Sequence, residues 1–337
     1  MGRFVDGIED QSFCGTKMGF EVKIEKRPCH FWQPFVKSDG YIYPCCKIWG
    51  NESLRIGHID DPDISERIVQ YDQSCRCEFN ELCRVDPNET RQIDLLNIEF
   101  SLACNGQCAM CSVGAPEWTD KYDGYDKLTE LIDAFRPREL FVQGGEVLIQ
   151  KKTLNWLQGV KGKYPDTKIS IVSNGCVGLD LIEMFEELFD FAIFSFVGFQ
   201  PVTYNRIMGL NLNRTTRFVG ELIRRKKVEV EIKFLCAPNN IHEVPLFLEW
   251  GFEKIPDSIL LMEMGGFNSY INRDTWDSYW DKIFKRTGNE IRELLVRSKD
   301  LLEQKQLFIK ITSFLRNEFS IDDDFVREHG FSILLPY

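Results

Sequence analysis

Six short runs rich in Ile, Val, Leu and Phe recur between residues 93 and 265, and helix-length segments separate them. Apolar runs of this length are typical of strands that are covered on both faces. A strand–helix series of this kind predicts a parallel sheet with helices packed outside it. The predicted strands are 95–102, 139–143, 168–173, 189–196, 228–235 and 258–264. The predicted helices between them are 125–135, 152–163, 179–188, 215–226 and 242–251.

The number of these units narrows the architecture further. A closed barrel of this type has eight β/α units, whereas this series has six. The predicted fold class is therefore α/β, an open, partial (β/α)6 barrel of parallel strands. The loops that follow the carboxyl ends of such strands carry the chemistry in proteins of this architecture, so those loops are the first place to look for a site.

The residues on either side of the series have a different character. Residues 1–90 are rich in Cys, Pro, Gly, Asp and aromatic residues and show little periodicity, which predicts a small module that bound metal could stabilise. We expect three parts: this cysteine-rich module at 1–90, the barrel at 91–270 and a C-terminal extension at 271–337. The extension contains a charged helical stretch at 289–304 and the apolar run LFIKITSFL.

Charge and hydropathy exclude several classes of partner. The 337 residues include 41 Lys and Arg against 52 Asp and Glu, a net charge of −11, which argues against binding a nucleic-acid backbone. A membrane span needs about 18 or more consecutive apolar residues, and the sequence contains no such run. The start, MGRFVDGIEDQSF, lacks an apolar signal core, so we expect a cytoplasmic protein.

Twelve cysteines in such a chain point to metal binding or catalysis, because disulfides are disfavoured in a reducing compartment. Seven cysteines fall within the first 83 residues and three lie between residues 104 and 111. Cys176 and Cys236 come later, in strand-like apolar runs, and are expected to be small buried hydrophobic residues.

The run LACNGQCAMCSVG places Cys104, Cys108 and Cys111 directly after the first predicted strand. Three thiolates on one short loop can hold three irons of a 4Fe–4S cluster, and the fourth iron then stays open for a ligand. The alternative is a zinc site, but closed zinc needs a fourth ligand and none stands nearby in the sequence.

The motif CNGQCAMC after a strand resembles the signature of the radical S-adenosylmethionine (radical SAM) superfamily. The resemblance implies that the open iron chelates the amino and carboxylate groups of S-adenosylmethionine. One electron then cleaves the sulfonium to methionine and a 5′-deoxyadenosyl radical, which abstracts a substrate hydrogen. It also implies a reductant such as flavodoxin or ferredoxin.

Two later motifs resemble the same family at matching places. Gly144, Gly145 and Glu146 end the second predicted strand and resemble the GGE motif, where backbone and carboxylate receive the ammonium group of the cofactor. Ser173 and Asn174 end the third predicted strand and resemble a polar pair near the methionine or ribose part.

The segment after the fourth predicted strand resembles the family more loosely. Ser195 occupies the ribose-facing position, and Met110 stands where an aromatic residue usually packs near the adenine. Met208 replaces an Arg of the family, so a partner for the carboxylate of the cofactor must come from elsewhere, with Arg206 and Arg214 as the candidates.

The N-terminal module contains a second possible cluster site. Cys29, Gly40 and Cys45 have the spacing of the first half of the auxiliary-cluster motif in the SPASM and twitch subfamilies, with Gly40 making a hairpin turn. Cys77 and Cys83 are the predicted remaining ligands of this second iron–sulfur cluster. Cys75 and Cys46 are the alternatives.

In those subfamilies the module normally follows the barrel, whereas here it precedes the barrel, as in a group of twitch-type proteins. Four thiolates also suit zinc, so a zinc-binding module remains the alternative for this site. The implied role of an auxiliary cluster is to accept or return an electron, or to bind substrate.

The sequence thus predicts a radical SAM enzyme that modifies a peptide precursor or a small molecule. Cys236 or Cys176 could donate a final hydrogen if the reaction is an epimerisation. Two other classes stay open: a non-catalytic electron-transfer protein with two clusters, and a zinc-stapled binding protein.

Overall fold

The computed structural model describes residues 33–45, 51–71, 93–111, 113–115, 123–264 and 278–336. Its strands, in chain order, are β1 (Phe35–Val36), β2 (Tyr41–Tyr43), β3 (Gly57–His58), β4 (Leu95–Glu99), β5 (Glu139–Gln143), β6 (Lys168–Ser173), β7 (Phe191–Phe196), β8 (Glu229–Cys236), β9 (Ser258–Glu263), β10 (Phe308–Ile311) and β11 (Leu334–Pro336). Its α-helices are α1 (Ile64–Gln70), α2 (Tyr125–Phe135), α3 (Lys151–Lys163), α4 (Ile182–Leu188), α5 (Pro201–Met208), α6 (Leu212–Arg225), α7 (Val244–Lys254), α8 (Ser278–Gln304), α9 (Ser313–Glu318) and α10 (Asp323–His329).

These strands form one sheet in the order β11-β10-β9-β8-β7-β6-β5-β4-β1-β2-β3. Strands β4 to β9 are neighbours in chain order, and every pairing among them is parallel. The predicted α/β class and its series of six parallel strands are therefore confirmed. The cysteine-rich part of the predicted fold lies mostly outside the described residues.

The predicted barrel is extended at both edges. Strand β1 pairs in parallel with β4, and β2 and β3 follow it in antiparallel pairs. At the other edge β10 and β11 add two more parallel pairings beside β9. Strands from all three predicted parts thus join one sheet, while the division at residues 90 and 270 stays a prediction.

Helix α5 lies in a segment for which the sequence predicts no helix. It begins with Pro201 at its first turn and ends at Gly209, whose φ of 68° lies in the left-handed region. Proline suits the first turn of a helix and glycine suits its end, so both boundaries carry a local signal. The helix is only eight residues long, which is too short to show a clear apolar period.

Successive side chains of β8 alternate between the two faces of the sheet. Val230, Ile232, Phe234 and Cys236 are fully buried and point to the layer where α6 and α7 contact the strand. Their neighbours Glu231, Lys233 and Leu235 point to the opposite face of the sheet. Among the described residues, none of the helices is long and apolar enough to cross a membrane.

Candidate functional site

A cavity of about 520 Å³ opens where the strands from β4 to β9 end. Its lining includes nine of the site residues that the sequence predicted: Cys104, Cys108, Met110, Cys111, Gly144, Gly145, Ser173, Asn174 and Ser195. They come from the loops after β4 and β5, from the end of β6 and the residue that follows it, and from β7 itself. The parallel sheet thus brings distant motifs to one edge, as the fold class predicts.

The two sides of this cavity are built differently, and we name them by their residues. The cysteine wall consists of the cysteine loop and the adjoining turns: Cys104, Cys108, Cys111, Gly144, Gly145, Ser173 and Asn174. The strand wall consists of side chains on or next to β8 and β9: Lys233, Leu235, Met262 and Met264.

The cysteine loop is held by the end of α5. The backbone N–H of Gln107 donates to the carbonyl of Met208 at 2.8 Å, and that of Ala109 donates to the carbonyl of Ile207 at 2.9 Å. The last carbonyls of a helix lack partners within the helix, so the loop satisfies them. At the other end of α5, the carboxylate of Glu243 accepts a hydrogen bond from the backbone N–H of Gln200 at 2.9 Å. A helix that the sequence analysis missed therefore positions the predicted cluster ligands.

The thiols of this loop are strongly affected by their surroundings. Burial, opposed by the hydrogen bond from the backbone N–H of Gly106, raises the pKa of Cys104 to about 11. Burial and the neighbouring thiols Cys104 and Cys111 raise the pKa of Cys108 to about 12. Because their pKa values are this high, both thiols are neutral near pH 7 until a positively charged group displaces their protons. In the described parts of the chain, no three His, Cys, Asp or Glu side chains converge as ligands of a single metal ion.

The turn at Gly144 and Gly145 packs against the backbone that leads into Cys104. A Cβ on Gly144, whose φ is 152°, would lie 2.6 Å from the carbonyl oxygen of Ser101. A Cβ on Gly145 would lie 2.2 Å from the carbonyl oxygen of Ala103. No side chain fits in either place, so the two glycines allow the close approach of these segments.

The carboxylate of Glu146 lies behind the cavity wall. It is fully buried and accepts hydrogen bonds from the backbone N–H of Leu148 at 3.0 Å and of Asn174 at 2.8 Å. The hydroxyl of Ser173 donates to it at 2.9 Å. Burial raises the pKa of this carboxyl despite those donors. Glu146, predicted to receive an ammonium group, here ties the turn after β5 to the turn after β6.

Several predicted residues are not brought to the cavity. Arg206 and Arg214 lie on exposed faces of α5 and α6, away from the lining. Cys176 and Cys236 are 6% and 0% exposed and are also absent from the lining. Their expected burial is confirmed, whereas the structure gives neither thiol a position on the cavity from which to donate hydrogen.

The predicted auxiliary site is described only in part. Cys29, Cys46, Cys75, Cys77 and Cys83 lie outside the described residues, so their role stays a prediction. Cys45 is described: it follows β2 and is 5% exposed.

The lining also contains residues that the sequence analysis missed. Lys233 lies opposite Ser195 in the register of β7 and β8. Glu99 ends β4, and its carboxylate accepts hydrogen bonds from the backbone N–H of Ser38 at 3.2 Å and from its hydroxyl at 2.6 Å. The signal for Lys233 in the sequence was its place in the predicted strand 228–235, on the face opposite to Val230, Ile232 and Phe234.

No family model matches the chain, and no curated protein matches its sequence. Among solved structures, it is similar to Streptococcus suis SuiB bound to precursor peptide SuiA, at 13% identity and a TM-score of 0.47. That match covers 61% of this chain and 47% of SuiB, so it spans about half of SuiB.

Two further similar structures are anSMEcpe with bound AdoMet and the FeFe-hydrogenase maturase HydG from Carboxydothermus hydrogenoformans. For anSMEcpe the identity is 17%, the TM-score is 0.47, and the match covers 64% of this chain and 62% of that protein. For HydG the identity is 15%, the TM-score is 0.44, and the match covers 72% of this chain and 58% of HydG. These identities and TM-scores are too low to assign the ligands or substrates of those proteins to this chain.

Proposed function

We propose that the chain is a radical SAM enzyme, which cleaves S-adenosylmethionine reductively and abstracts a hydrogen atom from a substrate. One observation carries the proposal. The three cysteines of the CxxxCxxC loop line the same cavity as Gly144, Gly145, Ser173, Asn174 and Ser195. These residues belong to four separate motifs, and the family resemblance assigns all of them to one cofactor.

The residues fit the proposed cluster. Cys104, Cys108 and Cys111 share one loop on the cavity, and their thiols are soft ligands that suit iron–sulfur clusters. Their protons leave when metal binds, because thiolate is the ligating form. When bound, a 4Fe–4S cluster with an open iron supplies the chelating position and the single electron for cleavage of the sulfonium.

The chain itself binds and orients the cofactor. Gly144 and Gly145 present backbone at the wall, and the rigid turn behind them is fixed by the buried carboxylate of Glu146. Ser195 offers a hydroxyl on β7, at the position that the resemblance assigns to the ribose. Among the described residues that line the cavity, Lys233 carries an ammonium group. Lys233 therefore takes the place of Arg206 and Arg214 as the proposed partner of the cofactor carboxylate.

The strand wall is suited to excluding water from the reaction. Leu235, Met262 and Met264 present apolar surface across the cavity from the cysteines. Apolar and polarizable side chains around a reactive intermediate reduce side reactions with solvent. The substrate is proposed to be a peptide or a small molecule that enters against this wall, as the family resemblance implies.

We propose that the auxiliary cluster, held by Cys29, Cys45, Cys77 and Cys83, lies beside this cavity. The pairing of β1 with β4 supports this, because it brings the N-terminal segment next to the strand that precedes the cysteine loop. Phe35 of β1 also lines the cavity. The role proposed for the cluster is to exchange an electron with substrate, and an external flavodoxin or ferredoxin is the proposed reductant.

Anaerobic reconstitution with iron and sulfide, followed by dithionite and S-adenosylmethionine, tests the proposal. We expect 5′-deoxyadenosine from the wild-type chain and from Cys236→Ala, whose cysteine lies in the core and off the cavity. A brown, cluster-loaded protein that forms no 5′-deoxyadenosine with candidate substrates present would favour a two-cluster electron-transfer protein. A colourless protein that contains zinc would favour the zinc-stapled binding protein.

A further inference from the structure

Asn174 lies at the junction of the cysteine loop and the turn after β6. Its backbone N–H donates to Glu146 at 2.8 Å, and its side chain is nearly buried, at 9% exposed. The side-chain nitrogen lies 2.8 Å from Oδ1 of Asn105 and 3.9 Å from Sγ of Cys104. The family resemblance assigns Asn174 to the methionine or ribose part of the cofactor, but these contacts are with the cluster ligand and its neighbour.

The orientation of both amides is fixed by the backbone of a single residue, Cys176. The backbone N–H of Cys176 donates to Oδ1 of Asn174 at 2.8 Å, so Nδ2 of Asn174 must face the cysteine loop. The carbonyl of Cys176 accepts from Nδ2 of Asn105 at 2.9 Å, so Oδ1 of Asn105 must face Asn174. One N–H of the Asn174 amide is therefore used by Asn105, and the other is directed at the sulfur of Cys104.

A hydrogen bond to a cluster thiolate has a defined electrochemical effect. One-electron reduction adds negative charge to the cluster and its thiolates, which makes them better hydrogen-bond acceptors. A donor at the sulfur therefore stabilises the reduced form more than the oxidised form and makes the potential less negative. The sulfur of Cys104 also accepts from the backbone N–H of Gly106 at 3.3 Å, a donor that no side-chain substitution removes.

We propose that Asn174 is a positioning residue that raises the reduction potential of the S-adenosylmethionine-binding cluster through its N–H toward Cys104. This inference rests on the proposed function, because it requires a cluster on Cys104. Reduction takes one electron from the reductant and moves no proton, so the effect is expected as a change of potential at constant pH.

Two variants separate the donor from its surroundings. Asn174→Asp keeps the volume and the acceptor for Cys176 but removes both N–H donors and adds charge. Asn174→Ala removes the donors without adding charge. The matched control is Asn213→Asp, which makes the same substitution at an exposed position of α6.

The measurement is an EPR-monitored redox titration of the reconstituted full chain. The cluster in question is identified by the signal that S-adenosylmethionine perturbs. We expect Asn174→Ala to lower the ratio of reduced to oxidised cluster about tenfold at a fixed potential, a shift of about 59 mV for one electron. Asn174→Asp should shift it further in the same direction, and Asn213→Asp should not shift it.

An unshifted Asn174→Ala overturns the inference, even if Asn174→Asp shifts, because that result would reflect added charge alone. Loss of the cluster from both Asn174 variants overturns it as well, since Asn174 would then be a structural tie. A wild-type chain with no signal that S-adenosylmethionine perturbs contradicts the proposed function instead, so the two failures are distinguishable.

Discussion

The two walls of the cavity differ in the side chains that line them. On the cysteine wall, Ser173 and Asn174 form hydrogen bonds with Glu146 behind the wall, and Asn174 also contacts the cysteine loop. On the strand wall, Lys233 stands among Leu235, Met262 and Met264. A network whose members are all satisfied fixes one geometry, whereas flexible thioethers adapt to different shapes. Under the proposed function, this difference predicts that the cysteine wall holds the cofactor and that the apolar part of the strand wall accommodates the substrate.

The largest effect is expected when a cluster ligand on the cysteine wall is removed. Cys108→Ala leaves two thiols on the loop, so we expect complete loss of the cluster that binds S-adenosylmethionine and of 5′-deoxyadenosine formation. Cys45→Ala, in the predicted auxiliary site, should keep this activity at least in part. Iron analysis and product chromatography measure both, and cleavage that survives in Cys108→Ala would rule out this loop as the cluster site.

The second prediction concerns the buried carboxylate behind the cysteine wall. Glu146→Gln replaces one acceptor oxygen with a donor that faces the N–H groups or the hydroxyl around it. We expect the free energy of unfolding to fall by about 1–3 kcal/mol, the cost of leaving buried polar groups unsatisfied. Denaturant unfolding of the chain gives this value.

A different result for Glu146→Gln would change the role assigned to this carboxylate. Unchanged stability together with a large loss of affinity for S-adenosylmethionine would show that the carboxylate contacts the cofactor itself. The wall would then have to rearrange when the cofactor binds.

The third prediction uses the raised thiol pKa values. With a pKa of about 12, Cys108 has little thiolate at pH 8, and after allowing for its higher intrinsic nucleophilicity we expect iodoacetamide to react roughly 50-fold more slowly than with a free cysteine. Mass spectrometry of the metal-free chain follows the rate. A rate equal to that of free cysteine would contradict the burial of this loop.

The same shift has a consequence for stability. A thiol whose folded pKa is raised stabilises the fold below its unfolded pKa, near 9, and that contribution is lost as the pH rises through about 12. The metal-free chain should therefore lose stability between these values.

The fourth prediction tests the ammonium group on the strand wall. Lys233→Met keeps the length of the side chain and removes its charge, so we expect about tenfold weaker binding of S-adenosylmethionine, or about 1.4 kcal/mol. Lys151→Met, at an exposed position of α3, is the control. Equilibrium binding measures both, and equal affinities would assign Lys233 to the substrate or to the fold.

The smallest effect is expected on the apolar part of the strand wall. Met262→Leu conserves volume and should change the free energy of unfolding by less than about 1.5 kcal/mol, with little change in cofactor affinity. Thermal unfolding and cofactor binding check this. A loss of cofactor affinity as large as that of Lys233→Met would remove the distinction between the walls.

The sheet and the cysteine wall were largely predictable from the sequence, for a physical reason. Strands β5 and β6 begin and end where the apolar runs do, because parallel strands buried on both faces leave a continuous signal. Cys104, Gly144 and Asn174 follow such strands, and parallel order brings the ends of those strands to one edge. Local signals and topology therefore sufficed to place them.

The remaining features depend on contacts that local patterns do not record. Helix α5 is fixed by Glu243 at one end and by the cysteine loop at the other, which lie far apart in sequence. The inward position of Lys233 was available from the period of β8, but its place on the cavity required the register with β7. Arg206 was expected to bind the carboxylate of the cofactor, but it lies on an exposed face of α5. The spacing of a motif does not show which face of a short helix turns inward, so this position could not be predicted from the sequence.

The EPR spectrum of the reduced, reconstituted chain, recorded before and after addition of S-adenosylmethionine, shows whether the cysteine loop holds a cluster that binds this compound. We predict a 4Fe–4S signal that requires Cys104, Cys108 and Cys111 and that changes when the compound binds. A chain that forms no such cluster, or a cluster signal that S-adenosylmethionine leaves unaltered, would contradict the account.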